Sequence, residues 1–321
     1  MKIKKPSFWD NKELSIISIL LLPFTLIIII SNLLKSLKRS NREFKNIKTI
    51  CVGNIYIGGT GKTPLAIEIN RIVKKSRLKT TFIKKFYSDS IDEQILLEKN
   101  GNCILAKNNR VDALKEAIIN KFDLAIFDDG LQDKSINYDM KIVCFNNKNF
   151  IGNGFLIPSG PLRENISSLK KFDAVFLNGD SSNLKSNIKE IKRNNKKIKI
   201  FETTYELIKQ SSISKRDKFI AFAGIGVPEN FKETLNNHKF NVVKFLSYPD
   251  HYDYSTKDIK KIKKIAKTFK AKIITTEKDY FRIKNNYNLK NEKNIKFLKM
   301  QLKIKNKNKL IKFLNSKIWE S

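Results

Sequence analysis

A short glycine-rich segment between two apolar runs is the part of this sequence best suited to chemistry. It contains Gly58, Gly59, Thr60 and Gly61, followed by Lys62 and Thr63. Small side chains let backbone N–H groups approach phosphate oxygens, and the start of the following helix adds the positive end of its dipole. The lysine would reach the β- and γ-phosphates, and the threonine hydroxyl would ligate Mg²⁺. The pattern predicts a nucleotide-binding loop between a strand and a helix.

The match to the P-loop pattern G-x-x-x-x-G-K-[ST] is incomplete, because Tyr56 stands where the pattern has its first glycine. A glycine-rich turn without a ligand is the alternative. The partition and septum-placement ATPases place a second lysine at the position of Ile57, so the sequence speaks against that class. The predicted nucleotide-binding residues are Tyr56, Ile57, Gly58, Gly59, Thr60, Gly61, Lys62 and Thr63.

Two adjacent carboxylates, Asp128 and Asp129, end an apolar strand expected over 123–127. This is where P-loop proteins hold Mg²⁺ or its water shell, although two acids before a glycine are also a common strand-to-turn ending. A second acidic pair, Asp92 and Glu93, opens a helix after the second strand. The predicted metal ligands are Thr63, Glu93, Asp128 and Asp129.

Asp92 is the candidate general base. A carboxylate usually accepts the proton of a hydroxyl that attacks the γ-phosphate, whereas first-turn acids can also serve only to complement the helix dipole. His251, one of two histidines, follows an apolar strand. A lone histidine is more often a packing residue, but a carboxylate–histidine pair that meets the phosphate site on domain closure would be catalytic. The predicted catalytic residues are Lys62, Asp92 and His251.

The segment 152–164 has too many glycines and prolines for a strand or a helix. Shaped surface loops of this kind commonly carry binding groups. Arg163 would pair bidentately with a phosphate, or would only begin a helix after an ordinary turn. The predicted substrate or phosphate contacts are Gln132, Arg163 and Glu164.

Apolar strands alternate with amphipathic helices along most of the 321 residues. This pattern predicts an α/β fold with a P-loop NTPase-like, mostly parallel sheet flanked by helices, a second smaller α/β domain and an N-terminal membrane helix. We expect a membrane-associated helix with a basic flank over 1–42, a P-loop kinase domain over 43–205 and the smaller domain over 206–321. One strand is expected over 295–302.

Residues 14–34 carry no charge, and as a helix they would extend about 31 Å, close to the thickness of the hydrocarbon core. Pro23 could kink this helix into an interfacial one, and a wholly buried core helix is the remaining alternative. A secretory signal is disfavoured, because basic residues follow with no small-x-small cleavage site. We expect attachment to a membrane, with the basic flank and the main body in the cytoplasm.

The formal net charge is +33, carried mainly by lysines along the whole chain. Such a bias arises by compositional drift, or it indicates nucleic acid, an anionic membrane surface or an acidic substrate as partner. Cys51, Cys103 and Cys144 each lie in a short apolar run without C-x-x-C spacing. Reduced, cytoplasmic thiols are the simplest interpretation.

Taken together, these motifs resemble the tetraacyldisaccharide 4'-kinase (lipid A 4'-kinase) family of Gram-negative bacteria. The resemblance begins at the N-terminal apolar helix and continues through residues 52–64, 128–132, 152–154 with 158–164, 222–226, 249–251 and 275–279. The family's loop also lacks the first P-loop glycine. The resemblance implies ATP- and Mg²⁺-dependent phosphorylation of the 4'-hydroxyl of a membrane-embedded acylated glucosamine disaccharide at the cytoplasmic face of the inner membrane. It also implies an Asp-Glu pair as the source of the base and an assisting histidine, which match Asp92, Glu93 and His251.

The chain departs from the family pattern at three places, one of which is Tyr252 directly after His251. The family usually shows Ser-Arg-Gly-Tyr after the second strand, where this chain has Lys84, Lys85, Phe86 and Tyr87. Asp133 replaces the histidine that commonly follows Asp-Asp-Gly-x-Gln.

The leading hypothesis is a monomeric, membrane-attached P-loop lipid kinase that uses ATP and Mg²⁺, with an acylated disaccharide and the anionic membrane surface as partners and without nucleic acid. A nucleic-acid-associated P-loop ATPase is the rival, and it predicts basic patches interleaved with aromatics or a reader motif, neither of which is found. A membrane scaffold with a vestigial loop is a third possibility.

Overall fold

The computed structural model describes residues 5–11, 15–37, 42–179, 182–208, 210, 213–286, 289–292 and 294–318. The described chain divides into two compact units. The larger unit comprises residues 5–86, 97–204 and 302–321, and the smaller unit comprises 87–96 and 205–301.

The helices and strands alternate along most of the chain. The helices are α1 Ile16–Leu20, α2 Leu22–Leu37, α3 Lys62–Val73, α4 Ile91–Glu98, α5 Arg110–Ile119, α6 Leu184–Asn194, α7 Pro228–Asn237, α8 Thr256–Thr268, α9 Glu277–Asn285 and α10 Lys307–Ile318. The strands are β1 Lys48–Gly53, β2 Thr80–Lys85, β3 Asn102–Ala106, β4 Leu124–Asp128, β5 Met140–Asn146, β6 Ala174–Asn178, β7 Lys199–Leu207, β8 Lys218–Ala223, β9 Asn241–Ser247, β10 Lys272–Thr276, β11 Ile295–Leu298 and β12 Met300–Ile304.

The larger unit is built on an eight-stranded sheet in the order β12-β7-β6-β5-β1-β4-β2-β3. The six pairings from β7 to β3 are all parallel. Its central strands are apolar on both faces, as helices covering both faces require; Ile50, Cys51 and Val52 of β1 are fully buried. Val52 pairs with Asp128 across β1 and β4, so the loop after β1 and the end of β4 lie at the same edge of the sheet.

The smaller unit is built on a four-stranded parallel sheet in the order β11-β10-β8-β9. Ile220 and Phe222 of β8 pack with Ile273 of β10 and Ile262 of α8 in one of its hydrophobic clusters. A capping box between Ser255 and Asp258 begins α8. The mostly parallel α/β architecture expected from the sequence is confirmed in both units.

The composition of the units differs from the expected domains in two segments. Residues 87–96 belong to the smaller unit and 302–321 to the larger, although a boundary also falls between 204 and 205, near the expected one. The single strand expected over 295–302 is wrong, because β11 and β12 are separate strands that join different sheets. The apolar face of α10, Leu310 and Leu314 among it, is buried within the larger unit.

The apolar segment 14–34 does not form one long helix. It is divided into α1 and α2 by a turn at Leu21, and none of the helices in the described parts of the chain is long and apolar enough to cross a membrane. The single continuous helix expected over this segment is therefore wrong for residues 15–34, and residue 14 lies outside the described residues. Pro23 occupies the first turn of α2, where a missing N–H costs nothing.

The buried-core alternative for this segment is wrong as well, because its apolar side chains are exposed. The exposed fraction is 76% for Ile16, 68% for Leu20 and 63% for Ile27. Among residues 15–30, whose side chains the structure describes, the buried ones are instead the hydroxyl-bearing Ser18 and Thr25. The two helices thus present apolar side chains to the outside and polar ones to the protein.

Candidate active site

The glycine-rich segment forms the expected loop between β1 and α3. Gly58 and Gly61 have φ angles of 124° and 89°, which side-chain-bearing residues rarely adopt. The helix begins directly at Lys62, so its first N–H groups face the loop without intrahelical partners. This arrangement is suited to an anion.

A buried asparagine that the sequence did not single out braces the loop. Nδ2 of Asn54 donates to the carbonyl of Gly58 at 3.3 Å and to Oγ1 of Thr60 at 3.1 Å. Asn54 is fully buried. The side-chain amide of Asn54 therefore holds Gly58 and Thr60 of the loop in place. The only indication of this residue in the sequence was its position just after an apolar strand.

Two of the predicted metal ligands, Thr63 and Asp128, lie in contact with each other. Oγ1 of Thr63 donates to Oδ2 of Asp128 at 2.9 Å, and Nζ of Lys84 lies 2.9 Å from the same oxygen. Oδ1 of Asp128 is buried and has no hydrogen-bond partner in the described parts of the chain. A carboxylate oxygen without a partner, beside a threonine hydroxyl, fits a Mg²⁺ ion that takes its remaining ligands from water and phosphate.

The carboxylate of Asp129 pairs with both predicted phosphate-binding cations, Lys62 and Arg163. Nη1 of Arg163 lies 2.9 Å and 3.2 Å from its two carboxylate oxygens, and Nζ of Lys62 lies 3.5 Å from Oδ2. Burial opposes ionisation of this carboxyl, but the charges of Lys62 and Arg163 lower the pKa of Asp129 below its ordinary value. Its backbone has a left-handed φ of 61°, a strained conformation that costs about 1 kcal/mol and is often found at functional sites.

Gln132 and Glu164 lie beside Arg163 and are connected to it by hydrogen bonds. Nε2 of Gln132 donates to the carbonyl of Asn54 at 2.9 Å and to Oε1 of Glu164 at 3.1 Å. Its Oε1 accepts from Arg163 at 3.2 Å. The glutamine thus connects the start of the phosphate loop with the segment that carries Arg163 and Glu164.

The first two predicted loop residues form hydrogen bonds with other parts of the protein. The hydroxyl of Tyr56 donates to Asp10 and accepts from Lys5, and burial raises the pKa of this phenol above its ordinary value. The amide of Ile57 donates to the carbonyl of Pro161 at 2.9 Å. The ring of Tyr56 therefore fastens the N-terminal segment to the loop, and a direct role of either residue in nucleotide binding stays a prediction.

The remaining predicted residues, Asp92, Glu93 and His251, all lie in the smaller unit. Nδ1 of His251 lies 3.5 Å from Oδ1 of the buried Asp92, at the outer limit of a hydrogen bond. Glu93 forms an ion pair with Lys278 at 2.5 Å. His251 also has a left-handed φ, of 53°. The structure thus gathers the predicted residues in two groups, one in each unit.

Charge surrounds the Asp92 carboxylate. Burial opposes its ionisation, but contact with His251 and the charges of Lys278 and Arg282 lower the pKa of Asp92 to about 2. Nη2 of Arg282 donates to Oδ2 of Asp92 at 2.7 Å. Lys278 and Asp279 were predicted only as part of the motif over 275–279, and no sequence pattern indicated Arg282.

A phosphate loop after the first strand of a parallel sheet, with Asp128 at the end of the neighbouring strand, defines a P-loop nucleotide-binding protein. The family model described as tetraacyldisaccharide-1-P 4'-kinase matches residues 15–319. The chain therefore belongs to the tetraacyldisaccharide 4'-kinase family. As a member it is a kinase, a phosphotransferase that acts on a hydroxyl group.

Individual relatives agree with this assignment. The chain is 50% identical to the tetraacyldisaccharide 4'-kinase of Pelagibacter ubique, with 99% of this chain and 100% of the relative covered. It is 35% identical to that of Rickettsia typhi, with 100% and 99% covered. Its fold is similar to the crystal structure of LpxK from Aquifex aeolicus in complex with ATP, with a TM-score of 0.68 and 21% identity over 95% of this chain and 100% of that one.

Proposed function

We propose that this protein transfers the γ-phosphate of ATP to the 4'-hydroxyl of a tetraacylated glucosamine disaccharide 1-phosphate, a step of lipid A biosynthesis. Membership in the kinase family supports the reaction and the acceptor. The observation that carries the proposal is the arrangement around the loop, where Lys62, Thr63 and the two aspartates at the end of β4 lie together.

In this proposal the backbone N–H groups of the loop and Lys62 hold the triphosphate. Thr63 and Asp128 hold Mg²⁺, whose charge offsets that of the phosphate oxygens when it is bound. Arg163 forms an ion pair with Asp129 in this structure. When that ion pair breaks, Arg163 binds a phosphate of the nucleotide or the substrate. Gln132 and Glu164 keep the segment of Arg163 in place.

Asp92 is proposed as the proton acceptor for the sugar hydroxyl, with His251 as its partner. Because the pKa of Asp92 is about 2, its carboxyl is ionised at neutral pH, as a proton acceptor must be. The His251 ring is partly exposed, with 28% of its side chain accessible, whereas the Asp92 side chain is not accessible. The ion pair with Lys278 gives Glu93 a local structural role, and its binding of a metal stays a prediction.

The N-terminal helices are proposed to attach the protein to the surface of the inner membrane on its cytoplasmic side. The support is the exposed apolar face that includes Ile16, Leu20, Phe24 and Ile27. Exposed apolar patches mark protein or membrane contacts, and a lysine-rich chain is attracted to an anionic leaflet. An acylated acceptor would be presented to the enzyme at such a surface.

The test of the function is transfer of labelled γ-phosphate from ATP to a tetraacylated disaccharide 1-phosphate in detergent micelles. We expect transfer by the wild type in the presence of Mg²⁺ and its loss in Lys62→Ala, Asp92→Ala and His251→Ala. Arg216→Gln, an exposed change in the smaller unit, is the control. A wild-type protein that binds ATP but gives no transfer would contradict the proposal, whereas full activity of Asp92→Ala would remove only the assignment of the base.

The rival function, a nucleic-acid-associated ATPase, rests on the net charge of +33 together with the phosphate loop. Its distinguishing result would be ATP hydrolysis that is stimulated by DNA or RNA and falls steeply with salt. We expect no such stimulation.

A further inference from the structure

Arg282 stands at the centre of a buried chain of charges in the smaller unit. Its side chain is 7% exposed and forms ion pairs with Asp92 at 2.7 Å and with Asp279 at 2.9 Å. Nη2 also lies 3.4 Å from Nδ1 of His251. One guanidinium therefore contacts both members of the proposed base pair and a second carboxylate behind them.

The second carboxylate is itself tightly fixed. Asp279 is fully buried and accepts hydrogen bonds from the amide of Gly224, the hydroxyl of Tyr254 and the hydroxyl of Thr276. Gly224 follows β8, and Thr276 is the N-cap of α9. Asp279 is thus an anchor tied to two strand ends of the smaller sheet.

The guanidinium transfers this rigidity to Asp92. Nη1 contacts Asp279 and Nη2 contacts Asp92, so each arm of the planar group has its own carboxylate. Burial opposes the positive charge, but Asp92 and Asp279 raise the pKa of Arg282 above its ordinary value, so the fork stays charged. A lysine would carry the charge without the two diverging arms.

We propose that Arg282 is a positioning residue for the phosphoryl transfer: it holds the carboxylate of Asp92 against His251 from the anchor at Asp279. This inference rests on the proposed function, because it takes Asp92 and His251 as the acid–base pair. Fixing a base within a few tenths of an ångström of its productive position is a recognised contribution to rate.

The test compares Arg282→Gln and Arg282→Lys with the wild type in the phosphate-transfer assay. We expect Arg282→Gln to lower kcat about 100-fold and Arg282→Lys to restore only part of this loss, while the KM for ATP stays within about twofold. Arg216→Gln is the matched control, because it removes an exposed arginine of the same unit. Full kcat in a folded Arg282→Gln protein, or complete restoration by lysine, would overturn the inference.

A double-mutant comparison separates positioning from a structural role. If Arg282 acts through Asp92, adding Arg282→Gln to Asp92→Asn should lower kcat no further, whereas a merely structural effect would multiply the two losses. If Arg282→Gln fails to fold, Asp279→Asn replaces it, with a smaller loss of kcat expected and none in the Asp92→Asn background. Full activity of Asp92→Asn would overturn the proposed base itself. Loss in Asp92→Asn with full activity in Arg282→Gln would overturn only the role of Arg282.

Discussion

The ammonium of Lys84 lies 2.9 Å from Oδ2 of Asp128, the oxygen that also accepts the hydroxyl of Thr63. The two residues are opposite each other in the parallel pairing of β2 and β4, and their side chains are 6% and 0% exposed. This chain therefore keeps a buried cation beside a predicted metal ligand.

Replacing Lys84 by serine should make the thermal stability of the protein depend more strongly on bound Mg²⁺ and ATP. Without Mg²⁺, Asp128 would lose its counter-ion, and breaking a buried ion pair costs about 3 kcal/mol of folding free energy. We expect thermal unfolding in the presence of Mg²⁺ and ATP to show a larger gain in Tm for Lys84→Ser than for the wild type. Lys85→Ser, at the next position of the strand, is the control, and equal gains in both variants would contradict the prediction.

Replacing Lys62 by methionine should abolish transfer while leaving the fold intact. The lysine is proposed to hold the terminal phosphates, and its partner Asp129 keeps the ion pair with Arg163. We expect at least about a 1,000-fold loss of kcat/KM in the labelled-phosphate assay, with a free energy of unfolding within about 1 kcal/mol of the wild type. Lys75→Ala, an exposed change just after α3, should leave both unchanged.

Asp92 should stabilise the protein in a pH-dependent way. Its folded-state pKa is lowered to about 2, against an ordinary value of 3.8, so its contribution is present above about pH 4 and is lost as pH falls towards 2. The difference in unfolding free energy between wild type and Asp92→Asn should be about 2 kcal/mol at pH 7 and should shrink at pH 3. Urea unfolding at the two pH values measures it, and a constant difference would show that the charge is not responsible.

Charged substitutions on the N-terminal helices should weaken membrane binding. Leu20→Asp with Phe24→Asp places two carboxylates on the exposed apolar face, and we expect at least about a tenfold loss of binding to vesicles that contain anionic lipid. Co-sedimentation with the vesicles measures this loss. The control is Ile119→Asp, which removes an isoleucine of α5 that is 78% exposed, and equal loss in this control would argue against a specific membrane face.

The phosphate loop and the carboxylates of β4 could be predicted from sequence because their chemistry is local. Gly61, Lys62 and Thr63 are consecutive, and Asp128 closes a strand of five buried residues. Arg282 could not be predicted, since its contact with Asp92 joins residues 190 positions apart and depends on how α4 and α9 pack. The brace at Asn54 was missed for a related reason, because an asparagine after a strand is also typical of an ordinary turn.

Some parts of the fold could likewise be predicted from the sequence, and others could not. The central parallel strands could be predicted because both of their faces are apolar. Strand β7 was not predicted, because its buried and partly exposed positions alternate and many of its residues are polar. The break between β11 and β12 at Lys299 has no turn residue to mark it, so the sequence reads as one strand. The segment 14–34 is apolar enough to suggest a membrane helix. The burial of Ser18 and Thr25 in the structure is what shows which face of the helices contacts the protein.

Those two hydroxyl groups, with Trp9, join the N-terminal helices to the loop that precedes Arg163. Oγ1 of Thr25 lies 2.8 Å from Oγ of Ser159, and Nε1 of Trp9 donates to the carbonyl of Pro158 at 3.0 Å. Ser18 likewise accepts from Asn153. A truncated enzyme that lacks the first helices would therefore lose more than an exposed apolar segment, because the loop that precedes Arg163 would also lose the hydrogen bonds that hold it in place.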